Sequence, residues 1–245
     1  MKVFERKRWT RDELILAINL YCKTQFGKIH MRNPEIIDLA NKLERTPGSV
    51  SYKLANFSSI DPTIERKGAA NVSKLDREVW NEFFEDWESM AFESEMRMAK
   101  MSENESVKAY EVIPLKDGET KSSTVQVRVN QNFFRKMILT SYNNSCCITG
   151  IDNCDLLIAS HIVPWAHDKK NRLNPMNGLC LNALHDRAFD KGLITIDDNY
   201  QVLVSNKVTH ELIVKYDRKL ITLPSRFLPD KDFINFHRKN IFKDN

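Results

Sequence analysis

The stretch ASHIVPWAHDKKNRLNPMNGLCLNALHDRAFDKGLI, residues 159–194, holds His161, His167 and His185 together with Asp168, Asp186 and Asp190. Imidazole has an ordinary pKa of about 6.5, so it can accept a proton near neutral pH. Imidazole and carboxylate are also the ligand types from which small metal sites are built. Such residues either lie scattered over an ordinary surface or form a small metal-dependent active site. The elements that carry them decide between these.

His161 ends an apolar run, and Pro164 prevents that strand from simply continuing. A strand end of this kind can aim a side chain into a cleft. Asn177-Gly178 offers a tight turn, because both residues tolerate positive φ, and Leu179-Cys180-Leu181 returns as a short strand. A helix near 182–191 then carries His185 and Asp186 close to its start, Phe189 one turn on, and Asp190 before Lys191-Gly192. Strand, turn, strand and helix bring His161, Asn177 and the helix residues within reach of one another.

The segments YNNSCCITG, LLIASHIVPW and NPMNGLCLNALHDRAFDKGLI, within residues 142–194, resemble HNH endonucleases with the ββα-metal fold, of the restriction and prokaryotic defence type. The flanking RVNQNFFRKMIL and FINFHRKNIF are similar to segments that accompany this nuclease subfamily, so the resemblance covers most of residues 125–245. It implies a metal-dependent DNA endonuclease engaged in restriction or antiviral defence. His161 is then the general base, and Asn177 holds the loop and orients it. The family usually places an acidic residue or His just before the base, where this chain has Ser160, which could act through water. His185, by residue type, is the expected metal ligand on the helix, with Asp186 its competitor by position and Asp190 third; one helical step of about 100° keeps the first two from pointing alike. Oxygen donors and a single imidazole suit Mg²⁺ or Mn²⁺ better than a closed structural Zn²⁺ site on Cys147, Cys154 and Cys180.

Towards the amino terminus, Thr10 and Glu13 form a capping box for a helix over about 11–25. Asn33-Pro34 starts a second helix with Ile36, Ile37, Ala40 and Leu43 inward, and Thr46-Pro47 starts a third with Val50, Leu54 and Phe57 inward. The short connection between them is compatible with a helix-turn-helix, whose reading positions would be Ser49, Tyr52, Lys53 and Asn56. A fourth helix over about 73–102 carries the stripe Trp80, Phe83, Phe84, Trp87, Met90 and Ala91, to pack on its own domain or on a second copy. Residues 103–124 lose periodicity and read as a linker, STVQVRV alternates like a strand, and NQNFFRKMILTSYN reads as a helix. CDLLIASHIV and GLITIDDNYQVLVS read as strands. The expected architecture is α+β: a small helical domain over 1–102 that looks like a module attached to some of these nucleases, and a ββα-metal domain over 125–245.

A hydrophobic share of 42% with 29% charged residues excludes a disordered chain. Residues 1–80 carry 15 basic against 10 acidic side chains, 81–105 carry 2 against 8, and 106–245 carry 20 against 15. Two basic blocks flank an acidic one, which suits a polyanion such as DNA. Arg128, Arg135, Lys169, Lys170 and Arg172 are the candidate phosphate contacts. His30, His167, His210 and His237 are read as structural or solvated. Five cysteines without CxxC spacing read as reduced, mainly buried thiols. No apolar run is long enough for a membrane span and the start lacks a signal core, so the cytoplasm is the expected location. One site per chain cutting two strands would work most simply as a homodimer.

Overall fold

The computed structural model describes residues 7–64, 68–69, 71–102 and 121–244, in two compact units, 1–133 and 134–245. Most of the expected linker, residues 103–120, lies outside the described residues.

The first unit is helical. Its helices are α1 (Arg11–Lys23), α2 (Pro34–Lys42), α3 (Pro47–Ile60), α4 (Lys74–Glu85) and α5 (Trp87–Met101), and α6 (Lys121–Ser141) contains the boundary between the units. The capping box of Thr10 and Glu13 starts α1, and Asn33 and Thr46 cap α2 and α3 ahead of Pro34 and Pro47. α1 is buried from Glu13 to Cys22, which makes it the central helix of this unit. Ile37, expected inside α2, is exposed.

The expected helix over 73–102 is two helices, because Asp86 leaves helical geometry (φ −129°, ψ 73°) and caps α5 through Ser89 N–H. The aromatic stripe packs into its own unit: Trp80 stacks on Phe84 at 4.1 Å and meets Phe57 at 5.7 Å and Tyr21 at 5.6 Å. The acidic face is met by arginines, with Arg11 bound to Glu82 and Glu93 and Arg97 bound to Glu93 and Asp12.

STVQVRV lies in α6, not in a strand. Alternation over seven residues is a local signal, and here it loses to helix continuity with the NQNFFRKMILTS segment that follows.

The second unit is α+β. β1 (Leu157–His161) pairs antiparallel with β2 (Gly178–Asn182), setting Ser160 opposite Leu179 and His161 opposite Gly178. α7 (Ala183–Asp190) follows β2 directly, and β3 (Ile194–Ile196) pairs with β4 (Val202–Val204) in a separate two-stranded sheet. The short α8 (Glu211–Val214) and the longer α9 (Lys231–Asn240) complete the unit. Strand, long loop, strand and helix are thus the arrangement expected around the histidines.

Gly178 does not make a positive-φ turn: its φ is −133°, and Asn177 closes a 3₁₀ turn, Pro175–Asn177. Glycine is needed for space, since a Cβ would sit 2.4 Å from Ile138 Cδ1 and 2.9 Å from Phe134 Cζ on α6. The positive φ falls at Gly192 (+68°), just past α7, where a Cβ would collide with the Ile241 carbonyl.

Candidate active site

His161 ends β1 half-buried between aromatic rings. Phe134 stacks on it at 4.2 Å and 9°, and Trp165 meets it edge-on at 5.4 Å. Its Nε2 lies 2.8 Å from the Arg172 carbonyl. A carbonyl can only accept, so Nε2 carries the proton and Nδ1 of the neutral ring is a free base. Burial pulls the imidazole below its ordinary value; the Arg172 carbonyl and the Asp190 charge oppose this, and the Arg172 charge adds to it. The ring is accordingly neutral at pH 7.

Asn177 is buried and clamps the loop that follows His161. Its Oδ1 accepts from Val163 N–H at 2.7 Å, and its Nδ2 donates to the Val163 and Asn171 carbonyls, both at 3.2 Å. Asn171 precedes the residue whose carbonyl holds His161, so the clamp reaches the imidazole through the backbone. Asp168, Asn171 and Asn174 link side chains across the same loop.

α7 presents two faces. Asp186 and Asp190, four residues apart, share one of them. The Asp186 carboxyl is raised above the ordinary range by burial and by the Asp190 charge, opposed by the Ser160 hydroxyl and the Arg187 charge. Ser160 Oγ is buried near that carboxyl, in a geometry that falls short of a complete hydrogen bond. Asp190 is likewise raised by burial, and the charges of Arg187, Lys191 and His161 draw it back. His161, Ser160, Asp186 and Asp190 therefore act on one another.

His185 points elsewhere. Its Nδ1 is 3.1 Å from Asn182 Oδ1, the N-cap of α7, and its ring packs edge-on to Tyr216 at 5.2 Å. Nε2 is buried without a hydrogen-bond partner, and burial with the Lys215 charge holds the ring below its ordinary value. Nothing couples it to Ser160, Asp186 or Asp190.

Two carboxylates and a hydroxyl are hard oxygen donors, and the raised Asp186 and Asp190 would both gain from a nearby cation. They suit an ion such as Mg²⁺ that keeps much of its water shell and needs only one or two protein carboxylates. Among the described residues no group of three or more His, Cys, Asp or Glu is placed to hold a metal ion by itself. The cysteines are free thiols. Cys147 is pushed well above its ordinary value and Cys180 up to about 12, first by burial, which leaves them unreactive.

The other predicted contacts divide. Arg128, Lys169 and Lys170 are exposed. Arg135 is half-exposed and donates to the Leu157 and Cys154 carbonyls at 2.6 and 3.0 Å. The Arg172 side chain donates to the Trp165 carbonyl and lies over its ring at 4.9 Å. In the first unit Ser49 is half-buried and Tyr52 exposed, but Lys53 and Asn56 face inward, not outward. Lys53 is committed to both oxygens of the buried Asp76, at 2.8 and 2.9 Å. A lysine at a polar helical position gives no sign that its partner lies on another helix.

Sequence reasoning missed Phe134 as the wall behind His161 and the Arg172 carbonyl as its anchor. The first read only as a core residue of a helix, and a backbone acceptor has no sequence signal. His237 is structural: it stacks on Phe189 at 3.7 Å and bridges Thr195 Oγ1 and the Phe189 carbonyl.

Residues 146–197 match the family model for HNH endonuclease. The match spans β1, the clamped loop, β2, α7 and β3, the elements that assemble the site. No curated protein matches the chain in sequence. No helix of the described residues is long and apolar enough to cross a membrane.

Proposed function

We propose that the second unit is a metal-dependent endonuclease that hydrolyses phosphodiester bonds in DNA, with His161 as the general base. The observation that carries this reading is the Nε2 contact to the Arg172 carbonyl, which leaves Nδ1 free to accept a proton. His161 takes a proton from water, the resulting hydroxide forms a bond to phosphorus, and the bond from phosphorus to the sugar oxygen breaks. The proton reaches the departing oxygen through solvent or from the imidazolium, which restores the base. Asn177, Phe134 and the Arg172 carbonyl hold the ring throughout. Asp186 and Asp190, with Ser160 beside them, would hold the divalent ion, Mg²⁺ or Mn²⁺, and His185 anchors the start of α7. When bound, the ion supplies charge neutralisation at the phosphoryl and departing oxygens.

A role in restriction or antiviral defence rests on the family resemblance alone. The helix-turn-helix reading of the first unit rests on the short α2–α3 connection and on Ser49 and Tyr52. A homodimer would supply two sites for two strands.

A second reading, an inert DNA-binding adaptor, is favoured by one observation: Ser160 stands where an anionic ligand is usual. The test incubates supercoiled plasmid with the wild type, His161→Ala and Asp186→Asn in Mg²⁺, in Mn²⁺ and in chelator. Metal-dependent nicking by the wild type alone supports the nuclease. Binding without cleavage in every metal supports the adaptor.

A further inference from the structure

Lys215, Arg218 and Lys219 lie within five residues of one another, all exposed, in the turn after α8. None of the three makes an ion pair among the described residues. Two acidic residues share the segment, Glu211 and Asp217, and the Asp217 carboxylate is occupied by Val204 N–H at 2.9 Å. Three exposed cations thus stand against two exposed carboxylates, which leaves the segment a small positive excess.

The turn is also built. Arg218 N–H donates to the Val202 carbonyl at 2.8 Å, Val202 N–H to the Lys219 carbonyl at 2.9 Å, and Lys219 N–H to the Tyr216 carbonyl at 3.0 Å. Arg218 holds a φ of +59°, a conformation that non-glycine residues adopt at a cost. The ammonium groups of Lys215 and Lys219 lie 5.1 and 5.7 Å from the centroid of the Tyr216 ring. Tyr216 in turn packs edge-on to His185, the residue before Asp186. An aromatic ring thus lies near two cations, on the His185 side of the helix whose other face carries Asp186 and Asp190.

We infer that Lys215, Arg218 and Lys219 grip backbone phosphates of duplex DNA, to the His185 side of the helix that carries Asp186 and Asp190. The inference rests on the nuclease reading for the identity of the polyanion. Exposed cations that are held in place and lack acidic partners suit phosphate contacts, which position the duplex without reading its sequence. The surface therefore serves any duplex, and specificity must arise elsewhere.

The test measures binding of a fluorescently labelled B-form duplex of mixed sequence by anisotropy over a salt series. It uses full-length His161→Ala protein in chelator, so that nothing is cut. Adding Lys215→Gln and Lys219→Gln should lower the slope of log affinity against log salt by about two, because each phosphate contact releases roughly one counterion. Tyr216→Ala should weaken binding while Tyr216→Phe retains it. Circular dichroism of each variant confirms the fold, and Lys215→Glu with Lys219→Glu provides a second, charge-reversed pair.

An unchanged salt slope in both lysine pairs overturns the inference, as does absence of salt-dependent duplex binding in the parent protein. Cleavage by the wild type, assayed separately, judges the nuclease reading. Cleavage with an unchanged slope removes only the cationic turn, and a lost slope without cleavage removes only the nuclease.

Discussion

The imidazole of His161 donates a hydrogen bond from its Nε2–H to the Arg172 carbonyl at 2.8 Å, eleven residues further along the chain. One backbone oxygen thus decides which nitrogen of the ring is free to act. His161→Ala should lower metal-dependent cleavage by about 10²–10⁴-fold, the usual contribution of a general base. Duplex binding and the circular dichroism spectrum should be retained. Unaltered turnover would remove the assignment.

The pH profile follows from the same burial. Only neutral His161 accepts a proton, and its imidazole sits below the ordinary value of about 6.5. The rate should therefore climb with pH along an acid limb whose midpoint is below that value, and Phe134→Ala, which admits water to the ring face, should move the midpoint upward. The midpoint is read from single-turnover rates under saturating metal, and a midpoint above the ordinary value would contradict the buried, neutral base.

Asp186 and His185 are adjacent yet differ in what they face. Asp186→Asn should abolish cleavage and weaken Mn²⁺ binding measured by calorimetry. His185→Gln should retain metal binding and lower the melting temperature, because it disturbs the Asn182 cap and the Tyr216 contact. The reverse pattern would return the ligand role to the histidine.

Lys53 and Asp76 are both buried and depend on each other. Asp76→Ala should destabilise the first unit by about 3–5 kcal/mol, the cost of stranding a buried charge. Chemical denaturation reads this directly. Lys53→Met with Asp76→Leu should recover much of the loss.

His237 is held down to about 4 by burial, against the Phe189 carbonyl. Between that value and about 6.5 the unfolded chain binds a proton that the folded chain refuses, so stability falls as pH falls through this window. The expected loss is about 3 kcal/mol at most by pH 4, and the buried His161 and His185 add to it with the same sign. A His237→Gln variant should show a shallower slope of stability against pH.

Caps, prolines and periodicity made the first three helices legible, because these signals act within one turn of chain. The order of strand, loop, strand and helix around His161 was legible for the same reason, and the family resemblance sharpened it. Long-range partners were not. Lys53 and Asn56 read as surface residues because polarity alone does not reveal a buried acceptor on another helix. The break at Asp86 was masked by an unbroken stripe of apolar residues. Residue type favoured His185 over Asp186 as the helix ligand, and the side that each faces depends on Ser160 and Tyr216, residues far from α7 in sequence.

The contact between His237 and the Phe189 carbonyl joins residues 48 positions apart, and Lys243 N–H donates to the Gly192 carbonyl just beyond α7. A ribosome makes the chain from the amino terminus, so the site helix emerges well before the segment that ties down its far end. The carboxylates of α7 gain their final support only when residues 231–243 have been made. The far end of that helix is thus braced only once this later segment is in place.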